Sequence, residues 1–209
     1  MTVVLASASP ARLETLRRAG LDPVVEVSGV DETTVTDADP AGLALRLAEL
    51  KGRAVVDRQA TAARGGRVLV VACDSLLELS GEVHGKPASA AEAIERLTSM
   101  SGASGVLHTG HFLADVGSGR SLSRQAATVV HFAQLSAAEI EAYVSTGEPL
   151  AVAGGFTIDG LGGAFVRGVE GDPHTVVGIS LPLLRRMFAE LGVGWTDLWR
   201  RSPSPDSSG

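Results

Sequence analysis

Residues 67–73, RVLVVAC, constrain this chain more than any other segment. After Arg67 the run is strand-forming and apolar, without the alternation of a half-exposed strand. A strand of this kind is covered on both faces, which calls for helices on either side of a sheet. The run ends on Asp74. The ends of buried strands are where α/β sheets gather their ligand chemistry.

The rest of the chain supplies the covering layers. Residues 2–6 read as a second buried strand, followed by a Ser-rich turn. A helix opens at Pro10, where a missing N–H is harmless, and stops at Gly20. A short strand is expected over 23–27. A helix capped within 37–40 follows, with Leu43, Leu47, Leu50 and Ala54 turned inward. Residues 76–85 read as a hairpin around Ser80-Gly81 that delivers Lys86. The next helix, 89–100, turns Ala93, Ile94 and Leu97 inward. An antiparallel pair is expected over 106–116 and 122–133. Ser136 and Glu139 form a capping box for a helix ending at Gly147. Residues 153–173 are dense in glycine, which means turns or backbone brought close to a ligand. A last helix covers 181–191. Alternating strands and helices followed by antiparallel strands make a mixed α/β sheet.

At 209 residues the chain is long enough for one domain or two lobes around a cleft. We expect a domain over 1–192 and a tail over 193–209, with the end, RRSPSPDSSG, disordered. A net charge of -6 argues against a basic face for nucleic acid. The single cysteine, Cys73, forms no internal disulfide and reads as a small buried hydrophobe. With neither a secretory leader nor an apolar run approaching ~20 residues, the expectation is a cytoplasmic protein that avoids the membrane.

Nucleophilic Ser or Cys catalysis has no motif to support it. What remains is a set of acids and bases at strand and helix ends: Arg12, Asp31, Glu32, Lys51, Asp74, Lys86 and Asp159. Cations neutralise phosphates, and carboxylates hold a divalent metal or deprotonate water. A helix N-terminus behind Ser7 and Ser9 adds backbone donors suited to phosphate. These residues point to an enzyme acting on a phosphorylated small molecule.

At these positions the chain resembles the Maf (septum formation inhibitor) nucleoside triphosphate pyrophosphatases. The segments that carry the resemblance are LASASP-A-R, VDET, RLAELK, ACDS, GEVHGKP, HTG, YVSTGEP, AGGFTIDGLGG and GDPHTVVGISLPLL, from about Val3 to Leu191. The resemblance implies an elongated mixed sheet flanked by helices, with two lobes around a central cleft. It implies hydrolysis of a nucleoside triphosphate to monophosphate and pyrophosphate, a divalent cation (Mg or Mn), and a homodimer. Nucleotide-pool sanitation or restraint of cell division would be the cellular role. Carried over residue by residue, it makes Asp74 the proton acceptor and, with Glu32, a metal ligand. Ser7, Ser9, Arg12, Lys51, Lys86, Thr109 and Asp159 would contact substrate. Ser9 reads equally as a helix N-cap, and Asp159 as a turn residue before Gly160.

The chain departs from the family pattern in two places. Ala11 stands where many members carry a first arginine, and Asp159 where members resembling dTTP/UTP pyrophosphatases carry Gln. A Gln amide both donates to and accepts from a pyrimidine edge, whereas an ionised Asp only accepts, which suits the N–H donors of guanine. The expectation is a guanine-type or modified base. Two rivals stand beside the enzyme: a non-catalytic nucleotide-binding regulator of division, and a partner protein docking through Trp195 and Trp199.

Overall fold

The computed structural model describes residues 1–37, 39–61 and 66–199. The tail expected to be disordered, residues 200–209, lies outside the described residues. Seven strands form one mixed sheet: β1 (Thr2–Leu5), β2 (Val24–Val25), β3 (Val68–Leu79), β4 (Glu82–His84), β5 (Ser104–Asp115), β6 (Arg120–Phe132) and β7 (Val166–Glu170). Their order is β2-β1-β3-β5-β6-β7, with β4 on β3. β1 runs parallel to β2 and β3, and every other pairing is antiparallel.

Six helices cover the sheet: α1 (Pro10–Arg18), α2 (Pro40–Thr61), α3 (Ala90–Met100), α4 (Ala137–Ser145), α5 (Pro173–Val177) and α6 (Leu181–Glu190). The period-2 pleat of β1 and β3 sorts their side chains between two layers. Val3, Leu5, Leu69, Val71 and Cys73 pack with Leu16 of α1 and with Leu184, Met187 and Phe188 of α6. Val4, Val68, Val70 and Ala72 pack on the other face with Ala48 and Val55 of α2. A separate core joins the far end of β3, at Leu77 and Leu79, to α3, α4 and Phe156. These are the two lobes, and β3 runs through both.

The expectation that the apolar strand ends on Asp74 is corrected here. β3 continues without a break to Leu79, and Asp74 pairs with Gly110 in mid-strand. What changes near Asp74 is the neighbour on the other edge. β1 accompanies β3 only as far as Val71, where the Ala6 N–H donates to the Val71 carbonyl. β4 takes up the same edge at Leu77. Between them β3 has an open edge, and Asp74 is at its centre.

The inward faces of two helices also differ from expectation. α2 buries Ala41, Ala44, Leu47, Ala48, Gly52 and Val55, while Leu43, Leu50 and Ala54 lie at the margin. Small residues win because the helix lies close on β5. A Cβ on Gly110 would come 2.3 Å from the Ala44 carbonyl oxygen, and one on Gly52 2.1 Å from the Phe112 ring. α3 buries Arg96 and Met100 with Ala93 and Leu97, leaving Ile94 exposed. The β3–β4 turn holds Ser80 and Gly81 at φ of 54° and 82°, as the tight hairpin turn that matches strand twist requires. The strand expected over 23–27 shrinks to two residues at the sheet edge. The Ser136–Glu139 capping box is present. Val193 and Trp195 pack onto the first core, with Trp195 edge-on to Phe188 at 5.9 Å. Trp199 is half exposed and lies against Gly20.

Candidate active site

The open edge of β3 floors a cleft of about 660 Å³ between the two lobes. The pleat that sorts the core also sorts the polar residues here. Even positions of β3 face α2 and odd positions face α1 and α6, so Asp74 and Ser75 point to opposite sides.

On the α2 side, the Lys51 ammonium lies 2.5 Å from Asp74 Oδ1 and 3.0 Å from Glu32 Oε1. The Lys51 and Asp74 side chains are each 12% exposed, and that of Glu32 is 52% exposed. The adjacent acid has a different task. The Asp31 carboxylate accepts from the Thr33 N–H and hydroxyl, and these bonds hold its pKa below the ordinary value. A single turn thus separates the two neighbouring acids into a local cap and a cleft residue.

On the other side, Arg12 is buried and bound by three partners. Nε donates to the Gly178 carbonyl at 2.8 Å, one Nη to Ser7 Oγ at 3.1 Å, and the other to Ser75 Oγ at 3.0 Å. The chain of hydroxyls continues inward. Thr109 Oγ1 donates to the Thr175 carbonyl, which uses its only proton, so Ser75 donates to Thr109. Thr109, expected to contact substrate, is fully buried and does not line the cleft; it accepts from Ser75, whose hydroxyl in turn accepts from Arg12. His111, two residues along the same face of β5, accepts from the Ser180 N–H and donates to the Thr109 carbonyl. Burial, reinforced by Arg12, pushes its pKa down to about 4. Cys73 is also buried, and burial pushes its thiol up to about 12, as fits a packing residue.

Ser9 caps α1 by accepting from the Arg12 N–H, and it lines the cleft as well. Ser7, Lys86 and Asp159 line it too. Lys86 has no carboxylate partner among the described residues. The loop before it is anchored at the Gly85 carbonyl, which accepts from Arg96 and from the Gly154 N–H. Asp159 is exposed, at the mouth, and also lines a neighbouring pocket of about 390 Å³ with Arg18 and His174. Among the described residues no group of three or more His, Cys, Asp or Glu converges as a metal site.

Sequence reasoning missed Ser75 as an anchor, Arg96, His111 and Glu148. Their signal lies in tertiary partners, 63 residues away for Ser75 and 69 for His111, but only 11 for Arg96. The four hydrogen bonds onto Glu148 come from residues 5 to 14 positions away.

Fold and cleft together define an α/β protein whose helix N-terminus and three cations surround a carboxylate on an open strand edge. Comparison with known proteins gives the family. The model of the Maf-like proteins matches residues 2–191, and the chain belongs to that family. A relative from Salinispora tropica, named nucleoside triphosphate pyrophosphatase, is 55% identical over 100% of this chain and 93% of its own length. One of the same name from Streptomyces coelicolor is 52% identical over 98% and 96%. The structure of the Staphylococcus aureus Ham1 protein aligns with 95% of this chain and 94% of its own, at a TM-score of 0.43 and 14% identity. No helix among the described residues is long and apolar enough to cross a membrane.

Proposed function

We propose that this protein is a nucleoside triphosphate pyrophosphatase, hydrolysing its substrate between the α- and β-phosphates to a monophosphate and pyrophosphate. One observation carries the reading: a single ammonium, Lys51, bridges the Asp74 and Glu32 carboxylates on the open edge of β3. Relatives at about half identity along the whole chain bear the same activity in their names.

In this reading the triphosphate enters between the N-terminus of α1, Lys51 and Lys86. The α1 dipole and Arg12 hold phosphate oxygens from one side, and the two lysines from the other. Asp74 accepts the proton of a water that attacks the α-phosphorus, and pyrophosphate leaves toward the cations. Once phosphate draws the Lys51 charge away, the carboxylate is free to take that proton. Lys51, Lys86 and Arg12 stabilise the charge that grows on the transferring phosphates.

A magnesium or manganese ion fits the donor set. Asp74 and Glu32 are hard oxygen donors that already converge on one cation, and such ions are held by one or two carboxylates plus substrate phosphates. A bound ion would polarise the phosphoryl oxygens. Homodimeric assembly and a cytoplasmic location accompany this reading, and light scattering tests the first.

The experiment is a nucleotide panel with Mg²⁺ or Mn²⁺, covering NTPs, dNTPs and 7-methyl-GTP, with release of monophosphate and pyrophosphate followed. Turnover that vanishes in Asp74→Asn supports the reading. Nucleotide binding without turnover in the wild type would replace it with a non-catalytic regulator.

A further inference from the structure

Part of the cleft lining comes from an irregular segment, 157–162, that belongs to no strand or long helix and that the nucleotide reading assigns to the base. Ile158 and Asp159 project from it into the cleft. A segment without ladder bonds keeps its shape only if something else satisfies its backbone. Here two side chains, Glu148 and Tyr143, take three of its N–H groups, and the Gly160 carbonyl accepts from the Gly163 N–H. Glu148 Oε1 accepts from Tyr143 Oη at 2.8 Å, Thr157 Oγ1 at 2.6 Å and the Gly162 N–H at 3.1 Å. Its Oε2 accepts from the Leu161 N–H at 3.1 Å. Tyr143 completes the grip, since its hydroxyl accepts from the Thr157 N–H.

The segment closes tightly on this carboxylate. A Cβ on Gly160 would lie 2.7 Å from Glu148 Oε2, and one on Gly162 2.4 Å from Tyr143 Oη. The anchor itself is rigid, because α4 is fixed by its capping box and the Tyr143 ring packs on Phe165. Burial raises the pKa of Glu148, but the bonds from Thr157, Tyr143, Leu161 and Gly162 outweigh it and hold the carboxyl below its ordinary value. Burial and the Glu148 hydrogen bond push the Tyr143 phenol up.

We propose that Glu148 is a positioning residue for base selection: its carboxylate, clamping 157–162 by three hydrogen bonds and tied to Tyr143 by a fourth, sets where Ile158 and Asp159 meet the nucleobase. The inference rests on the nucleotide reading above. It separates two tasks, since among the described residues no hydrogen bond or ion pair joins the clamp to Lys51, Asp74 or Arg12. Glu148 acts on which nucleotide is accepted, and the phosphate end acts on how any of them is cleaved.

Glu148→Gln tests it. The amide keeps the shape but turns one oxygen into an N–H donor among four donors, so one bond becomes a repulsion. The wild type and the variant are compared by kcat/KM across purine and pyrimidine triphosphates and by inhibition with inorganic tripolyphosphate, which has no base. The expected result is a roughly tenfold collapse of the ratio between the best and worst bases, through KM more than kcat. The tripolyphosphate inhibition constant stays within about twofold of wild type. Tyr143→Phe, which removes one donor, shifts the same ratio less and serves if Glu148→Gln does not fold. Equal losses for every nucleotide and for tripolyphosphate would overturn the proposal, as would unchanged ratios in a folded variant. If the wild type binds nucleotides without cleaving them, the pyrophosphatase reading falls, while the same ratios read as dissociation constants still decide the role of Glu148.

Discussion

The two ends of the cleft are built on different principles. On the proposed reading, the phosphate end is mounted mostly on regular structure, with Asp74 and Ser75 on the central strand, Lys51 on the longest helix and Arg12 in the first turns of α1, while Ser7 and Lys86 stand on the adjoining loops. Those on regular structure are each tied to another functional group, Lys51 to two carboxylates and Arg12 to Ser7, Ser75 and the Gly178 carbonyl. At the base end, Ile158 and Asp159 stand on a glycine-rich segment held by the Glu148 carboxylate, whose partners in that segment lie 9 to 14 residues further along the chain. The difference teaches that the geometry for handling phosphate is interlocked with the fold. On the proposed reading, the geometry for choosing a base hangs on a local clamp and is open to change without disturbing the core.

The largest expected effect probes the interlocked end. Asp74→Asn should lower kcat by about 10²–10⁴-fold, the range for loss of a general base, with circular dichroism unchanged. Retained turnover would remove Asp74 from the mechanism. Lys51→Met should cost stability as well as activity, because it strands a carboxylate whose side chain is only 12% exposed. Breaking such a pair costs about 3 kcal/mol, at the low end for buried pairs, and denaturant unfolding would measure it. An unchanged midpoint would mean that the phosphate end is not interlocked as described.

His111 stands behind this end and gives it a pH signature. Its folded pKa of about 4 lies below its ordinary 6.5, so between these values the unfolded chain takes up a proton that the native state refuses. Its contribution is complete above about pH 6.5 and is lost as the pH falls toward 4, by about 3 kcal/mol at ~1.36 kcal/mol per pH unit. Unfolding curves across this window should show the loss, and His111→Gln should flatten it. The smallest effect belongs to the base end. Asp159→Gln should move preference toward pyrimidines by several-fold while changing stability by less than about 0.5 kcal/mol, as at other exposed positions. Unchanged ratios across the nucleotide panel would leave Asp159 a turn residue.

Much of this was legible in the sequence because it depends on local pattern. The apolar run at 67–73, the helix opening at Pro10 with Ser9 as cap, the hairpin at Ser80-Gly81 and the Ser136–Glu139 capping box all answer to neighbours within a few residues. The acids and bases of the cleft were legible as residue types and through the family segments, but not in their placement, since Asp74 lies within β3 and Lys51 within α2. The inward face of α2 was not. Leu43 and Leu50 have the larger transfer free energy, yet contact with Gly110 and Phe112 selects the small residues instead.

The sequence by itself determined that this is a mixed α/β protein with acids and bases among its first elements, because strand and helix periodicities are properties of the local chain. Only the tertiary structure decided what those groups do to one another. That Asp74 lies on an open edge depends on β1 ending and β4 beginning along the same side of β3. That Thr109 is buried depends on Ser75 across the ladder and on the Thr175 carbonyl 66 residues away. That Glu148 gathers a loop depends on where α4 stops. Hydrogen bonds and ion pairs are short-ranged, so their partners are chosen by distance in space, which the order of residues does not specify.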